Sequence, residues 1–265
     1  MTDKMNDASQ SYGYLGSLIG RFKYSGRLYL AWNYMDSITK FDGTDYANTF
    51  AKKINVMHEL VKSVLSDQLK KEDVIIDLGG GPGMGARIIE ELGIKATLIN
   101  IEPSTTIYDV PRLSLVKYIP LKMTFKEALD AQMPCIASCL LMVSSEHEIA
   151  LCNGGTANEN KKIFLGDLNK FIHKNLKKNG SLVFGFPNYR KGASKTAINR
   201  QRRLTESILG HSHPPEELFT VDEFSAAFGA RPEVFIQKPM NLANEDPEET
   251  MLMANVVVFK TKNLY

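Results

Sequence analysis

Between residues 46 and 70 apolar side chains recur three and four positions apart, at Phe50, Ile54, Met57, Val61 and Val64, the interval that lines one face of a helix. Beyond residue 73 the pattern changes to short, β-rich apolar runs separated by helical stretches. VIIDL (74–78), MGARIIEEL (84–92) and KATLINIE (95–102) predict strand, helix and strand, a βαβ unit with a right-handed crossover. LSLVKYI (113–119) reads as a third strand. CIASCLLMV (135–143) is apolar throughout, as a central parallel strand buried on both faces must be. A helix is predicted over 161–178, with Ile163, Phe164, Leu168, Phe171, Ile172 and Leu176 inward and Asn179-Gly180 as its stop. SLVFGFP (181–187) follows as a strand, and Thr220 and Glu223 form a capping box opening a helix through Phe228. The last runs, 232–238 and 250–260, have no helix between them and are expected to pair antiparallel at one sheet edge.

The candidate chemistry lies in the first βαβ unit. Asp77-Leu-Gly79-Gly80-Gly81-Pro82-Gly83 comes directly after a strand and directly before a helix. Glycines there allow positive φ and close backbone approach, and free N–H groups at the helix start favour a negative group. Glu102, ending the second strand, falls at the crevice of an open α/β sheet, where it can accept hydrogen bonds from ribose hydroxyls. A nucleotide-like ligand is implied. Gly81-Pro-Gly83-Met-Gly85-Ala86 also fits the dinucleotide pattern G-x-G-x-x-A, but that match starts too late and leaves Asp77, Gly79 and Gly80 without a role.

With Asp77, Gly79, Gly81 and Gly83 in the spacing D-x-G-x-G-x-G and an acid at Glu102, the chain resembles the class I S-adenosylmethionine-dependent methyltransferases over about residues 46–260. LNKFIHKNLKKNGSLVFGFP is similar to that family's helix and strand around its LKPGG-like segment. The resemblance implies an α/β, Rossmann-like, seven-stranded, mostly parallel sheet with a terminal antiparallel strand, and S-adenosylmethionine as cofactor. It would place the methionine part of the cofactor on the loop that includes Gly80, and the ribose on Glu102, with Ser144 also at the cofactor. There are departures: the fourth strand opens on Met133-Pro134-Cys135 where many members carry an acid, and adenine contacts from Glu127 or Asp130 would need a loop to bring them in.

Composition narrows the picture. Six of the ten tyrosines and the one tryptophan fall in the first 46 residues, so residues 1–45 are expected to form a helical, aromatic-rich cap over a binding domain at 46–265. Tyr24 and Trp32 are the candidates to reach a substrate or sulfonium by cation–π attraction. Packing on the sheet or in a homodimer contact is the alternative use of these rings. A net charge of +2 in 265 residues argues against nucleic acid as a general partner, and no window reaches the length of a membrane span. Three cysteines, Cys135, Cys139 and Cys152, form no C-x-x-C pair, which suits reduced thiols in a cytoplasmic protein.

Methyl transfer needs alignment and water exclusion more than acid–base help. Ser144-Ser145-Glu146-His147 follows the fourth strand on the ligand side, so Glu146 and His147 are the candidates for proton acceptor, against a plain polar loop. Arg190, Lys191, Lys195, Arg200, Arg202 and Arg203 come without an acid between them, pointing either to an anionic small-molecule substrate, with Arg190 as its ligand, or to a solvated basic helix. His211 and His213 have no clear third ligand in the sequence, so no metal is expected. The reading is a small-molecule methyltransferase. Its rivals are an enzyme that transfers or cyclises the aminocarboxypropyl arm of S-adenosylmethionine, releasing methylthioadenosine, and a non-catalytic partner protein.

Overall fold

The computed structural model describes residues 55–103, 105–108, 110, 112–134, 136–209, 212–240 and 249–264. The expected cap at 1–45, with Tyr24 and Trp32, lies outside the described residues. In chain order the elements are α1 (Asn55–Gln68), β1 (Val74–Leu78), α2 (Met84–Glu91), β2 (Ala96–Ile101), β3 (Val116–Leu121), α3 (Phe125–Asp130), β4 (Ala137–Val143), α4 (Glu146–Leu151), α5 (Ala157–Asn175), β5 (Leu176–Tyr189), α6 (Lys195–Leu209), α7 (Val221–Phe228), β6 (Val234–Pro239) and β7 (Leu252–Lys260). The strands form one sheet in the order β3-β2-β1-β4-β5-β7-β6. Strands β1 to β5 are parallel, and β7 runs antiparallel to both β5 and β6. This is the expected α/β sheet with its antiparallel pair at one edge. No helix among the described residues is long and apolar enough to cross a membrane.

Because β1, β4 and β7 are buried on both faces, the sheet must be covered twice. On one face α1 and α2 bring Met57, Val61, Leu65, Ile88 and Ile89 against Ile75, Leu98, Leu141 and Val256. On the other, α5 and α7 bring Phe164, Phe171, Phe224 and Phe228 against Phe184 and Phe259, with Phe184 stacked on Phe224 at 4.9 Å between ring centres. Helix α1 crosses β5 at Gly185, where a Cβ would stand 3.0 Å from Met57 Sδ and from Val61 Cγ2, so only glycine lets the helix come this close. At its other end, Gln68 Oε1 accepts from Ser181 Oγ (3.1 Å) and Lys260 Nζ (2.6 Å). The helix therefore runs against the direction of β5, and its first residue, Asn55, lies toward the C-terminal end of the parallel strands.

Several boundaries differ from the expected ones for identifiable reasons. Helix α5 starts earlier than residue 161 because Thr156 and Glu159 form a capping box. It ends at Asn175, and Asn179-Gly180 is no helix stop. Residues 177–180 bulge within β5, where a Cβ on Gly180 would sit 2.9 Å from the Ser138 carbonyl oxygen and Thr261 Oγ1 accepts the Gly180 N–H at 2.7 Å. Ile163 is not inward but 47% exposed, since the buried stripe runs Asn160, Phe164, Leu168, Phe171, Ile172 and Asn175. Strand β3 starts at Val116 rather than 113, because the Glu90 carboxylate takes the N–H groups of Ser114, Leu115 and Val116 at 2.7–3.1 Å before the ladder takes over.

Lys161 joins the second layer together. Its buried ammonium donates to the Leu218 carbonyl (2.6 Å) and to Glu223 Oε1 (2.9 Å), and lies 5.3 Å from the centre of the Phe219 ring. Lys161→Ala is expected to lower the unfolding free energy by about 2 kcal/mol, the scale of charge-assisted hydrogen bonds left unmade in a buried site. Urea unfolding of the two proteins checks this. A midpoint shift too small to resolve would mean that water replaces the lysine at no cost.

Candidate functional site

Strand order fixes where a ligand can enter. From β1 the chain steps outward through β2 to β3, then returns to the other side of β1 as β4. The loops leaving β1 and β4 therefore part from one another at the C-terminal ends of these strands, the crevice where open α/β sheets bind ligands. The two loops meet at the floor of the crevice: Ser145 Oγ donates to the Leu78 carbonyl at 2.7 Å. A Cβ on Gly79 would stand 2.5 Å from Ser145 Cβ. Gly79, Gly81 and Gly83 have φ of +68°, +50° and +78°. Gly81 has no atom within 4 Å of the Cβ it lacks, so the loop is open to the outside there. Gly83 caps α2 without a side-chain hydrogen bond, and the Gly83 and Met84 N–H groups both donate to the Gly80 carbonyl, at 3.0 and 3.3 Å.

A chain of hydrogen bonds holds the loop from behind. Glu102, 3% exposed, accepts the Gly81 N–H through Oε2 at 3.1 Å. Asn100 Nδ2 donates to the Gly81 carbonyl (3.0 Å) and to the Tyr118 hydroxyl (2.7 Å), which in turn donates to the Ile107 carbonyl (2.9 Å). Burial pushes the Tyr118 hydroxyl up to about 12, so it stays a donor. The sequence reading missed Asn100 and Tyr118. An asparagine inside the apolar strand ATLINI was the available signal, because a buried amide has to be satisfied by something specific. Asp77 is buried beneath Gly80 and Gly85, each of whose absent Cβ atoms would come within 2.4 Å of Asp77 Oδ2. Neither that oxygen nor Asn100 Oδ1 has a hydrogen-bond partner.

The loop after β4 holds the other expected residues. Ser144 adopts φ +55°, an uncommon conformation for a residue with a side chain, and its N–H donates to the Gly185 carbonyl at 2.7 Å. Glu146 and His147, both buried, form a pair through Oε1 and Nδ1 at 3.0 Å. Burial alone would lower the His147 pKa, but the charge and hydrogen bond of Glu146 and the charge of Glu148 outweigh it and hold it above the ordinary value. The structure brings a second histidine here from 66 positions along the chain: the His213 ring lies 4.5 Å from the His147 ring, with its Nε2 3.1 Å from Glu148 Oε1 and its Nδ1 3.1 Å from Glu217 Oε2. Tyr189 anchors that segment by donating to the His213 carbonyl at 3.0 Å. His211 lies outside the described residues.

Arg190 is partly buried at the end of β5, its N–H donating to the Met251 carbonyl at 2.7 Å. Lys191, Lys195, Arg200 and Arg203 are exposed in or just before α6, while Gln201 and Thr205 face inward. Arg202 and Arg203, with Asn199 and Ser212, line a cavity of about 360 Å³. Glu127 is not brought to the crevice as an adenine ligand; it forms the capping box of α3 with Thr124.

No protein-family model and no curated protein matches the sequence. Solved structures are similar in fold. The plantazolicin methyltransferase BpumL, in complex with SAH, superposes with a TM-score of 0.53 at 14% identity, over 92% of this chain and 98% of its own. The cyclopropane synthase MmaA2 from Mycobacterium tuberculosis gives 0.53 at 10% identity, over 76% and 83%. The mycolic acid cyclopropane synthase CmaA1, complexed with SAH and CTAB, gives 0.51 at 11%, over the same shares. The chain has the class I methyltransferase fold.

Within this methyltransferase fold, Asp77 sits at the end of the first strand with a displaced titration. Desolvation pushes its carboxyl up to about 7, the nearby Gly85 N–H offsets part of this, and the Glu102 charge adds to it. A carboxyl whose folded pKa lies above its unfolded value stabilises the fold while protonated, and that contribution is lost as pH rises from about 4 through 7. The ceiling on this loss is on the order of 4 kcal/mol. Asp77→Asn keeps the volume and cannot ionise. Its stability relative to the parent protein should rise between pH 4 and pH 8 in urea unfolding of the unliganded protein; a difference that stays flat with pH would show that Asp77 titrates normally.

Proposed function

We propose that this protein is an S-adenosylmethionine-dependent methyltransferase acting on a small-molecule acceptor. The observation that carries the reading is the pairing of a glycine loop, open at Gly81, with the buried Glu102 carboxylate at the switch between β1 and β4. The residues fit the cofactor's parts. The positive dipole end of α2 suits a carboxylate, and Glu102 suits ribose hydroxyls. When bound, S-adenosylmethionine supplies a sulfonium methyl as electrophile. The fold relatives BpumL and CmaA1, both in complex with SAH, support this choice of ligand.

The rest of the work falls to the chain. Gly79, Gly80 and Gly83 leave no room for side chains against Ser145, Asp77 and Val110, and Gly81 faces open space; Gly80 on this loop and Ser144 after β4 are the further proposed cofactor contacts. Glu146 holds His147 through Nδ1, which leaves Nε2 to withdraw a proton from the acceptor. Arg190 is the proposed ligand for an anionic group on the acceptor. Tyr24 and Trp32 are proposed to close over the crevice, a role supported by the position of Asn55: the chain preceding α1 joins the fold toward the ligand end of the strands.

S-adenosylhomocysteine, titrated calorimetrically into the full chain, is expected to bind one site. Glu102→Ala should weaken it about 10- to 100-fold, the value of one or two hydrogen bonds to a charged group. Gly81→Ala should cost about 1–2 kcal/mol of stability, because φ is positive there, and should also weaken binding at least about 10-fold by filling the open side of the loop. Unchanged affinity in both variants would remove the site assignment, and no binding by the parent protein would favour the non-catalytic reading. With an acceptor, release of S-adenosylhomocysteine supports methyl transfer, whereas methylthioadenosine would replace it with aminocarboxypropyl chemistry.

A further inference from the structure

His147, Glu148 and His213 converge although the sequence gives no spacing that announces it. Glu148 Oε1 stands 3.7 Å from His147 Nε2 and 3.1 Å from His213 Nε2, and one ligand atom from each residue lies within 4.8 Å of the other two. Around a tetrahedral cation with bonds of about 2.0–2.1 Å, ligand atoms stand about 3.4 Å apart, so the two measured distances bracket the required one. The far side of each ring is fixed as well. Glu146 Oε1 faces His147 Nδ1 at 3.0 Å and Glu217 Oε2 faces His213 Nδ1 at 3.1 Å. A carboxylate that takes the Nδ1 proton leaves the Nε2 lone pair for a cation and sets the ring's orientation.

The charges point the same way. Three carboxylates surround two imidazoles, and four of the five side chains are at most 14% exposed. Glu146 Oε2 is buried with no hydrogen-bond partner. Glu148 is the most exposed of the five, at 26%. Two imidazoles and one carboxylate suit a first-row divalent cation rather than magnesium or calcium, which prefer all-oxygen shells.

We propose that His147, Glu148 and His213 bind a first-row divalent cation, zinc being the best match, with Glu146 and Glu217 fixing the two histidine rings. Helix α4, which carries two of the ligands, begins next to Ser145, the residue in contact with the glycine loop. A cation there occupies the Nε2 lone pair of His147, so in the metal-bound protein that imidazole is a ligand and not the base that takes the acceptor's proton. That catalytic consequence rests on the methyltransferase reading; the binding of the cation does not.

The test uses the untagged full chain, stripped with a chelator and dialysed. Zn2+ is titrated calorimetrically and Co2+ is followed by its visible absorption. One equivalent of Zn2+ should bind, and Co2+ should give the intense bands of a four-coordinate site. Glu148→Gln and His213→Gln should abolish stoichiometric binding, and Glu217→Gln should weaken it about 10- to 100-fold. His173→Ala, on the exposed side of α5, should leave it unchanged. S-adenosylhomocysteine titrated into the same samples reports whether each variant is folded and tests the cofactor reading separately. Parent protein that binds S-adenosylhomocysteine but no stoichiometric Zn2+ overturns the cation site and leaves the methyltransferase reading standing. Equal Zn2+ affinity in the parent and in folded Glu148→Gln and His213→Gln overturns it too.

Discussion

The ligand end of this molecule depends on one seam, where the loop leaving β1 touches the loop leaving β4. Two parallel strands can lie side by side there only if something satisfies the Leu78 carbonyl as the chain turns away, and Ser145 does so through its hydroxyl. The contact leaves no room for a side chain on Gly79. From that point the glycine loop can go only one way, across the buried Asp77 and onto Glu102, while the chain beyond Ser145 must turn into α4 and present Glu146, His147 and Glu148 on the opposite wall. A single hydrogen bond and a single missing Cβ thus set the distance between the two halves of the site.

The helices serve the seam by keeping the sheet still. The phenylalanine-rich layer of α5 and α7 and the aliphatic layer of α1 and α2 bury both faces of β1 and β4, so the strand ends cannot tilt to relieve crowding in the crevice. Polar groups beneath the loop are then held where water would otherwise have placed them more cheaply. Asp77 is the extreme case, a carboxyl kept out of solvent with one oxygen unmatched. Such strain belongs to sites rather than to scaffolds, and its position under the glycine loop fits that pattern.

Much of this was readable in the chain. The β1–loop–α2–β2 unit follows from glycines between two apolar runs, and the antiparallel edge follows from two strands with no helix between them. The start of α5 was legible but missed, since Thr156 and Glu159 carry the same signature as Thr220 and Glu223; its end was not, because a bulge, not a turn, absorbs Asn179-Gly180. Asn100 was visible as a polar interruption but not as a brace, since its partner Tyr118 comes from the neighbouring strand. The meeting of His147 with His213 was beyond any local pattern. It depends on the path of the segment after α6 and on its tether to Tyr189, both products of tertiary packing.

Strand β3 has a further consequence. Among the described residues it lies at a sheet edge, and its Tyr118 is the strut behind the glycine loop, so the geometry of the crevice leans on an edge strand. An edge strand with free N–H groups invites pairing with another chain. Two positions after the strut stands Pro120, which has no N–H to offer a newcomer. The proline therefore insulates the binding crevice: crowding by neighbouring molecules cannot extend the sheet past it and pull Tyr118 out of place.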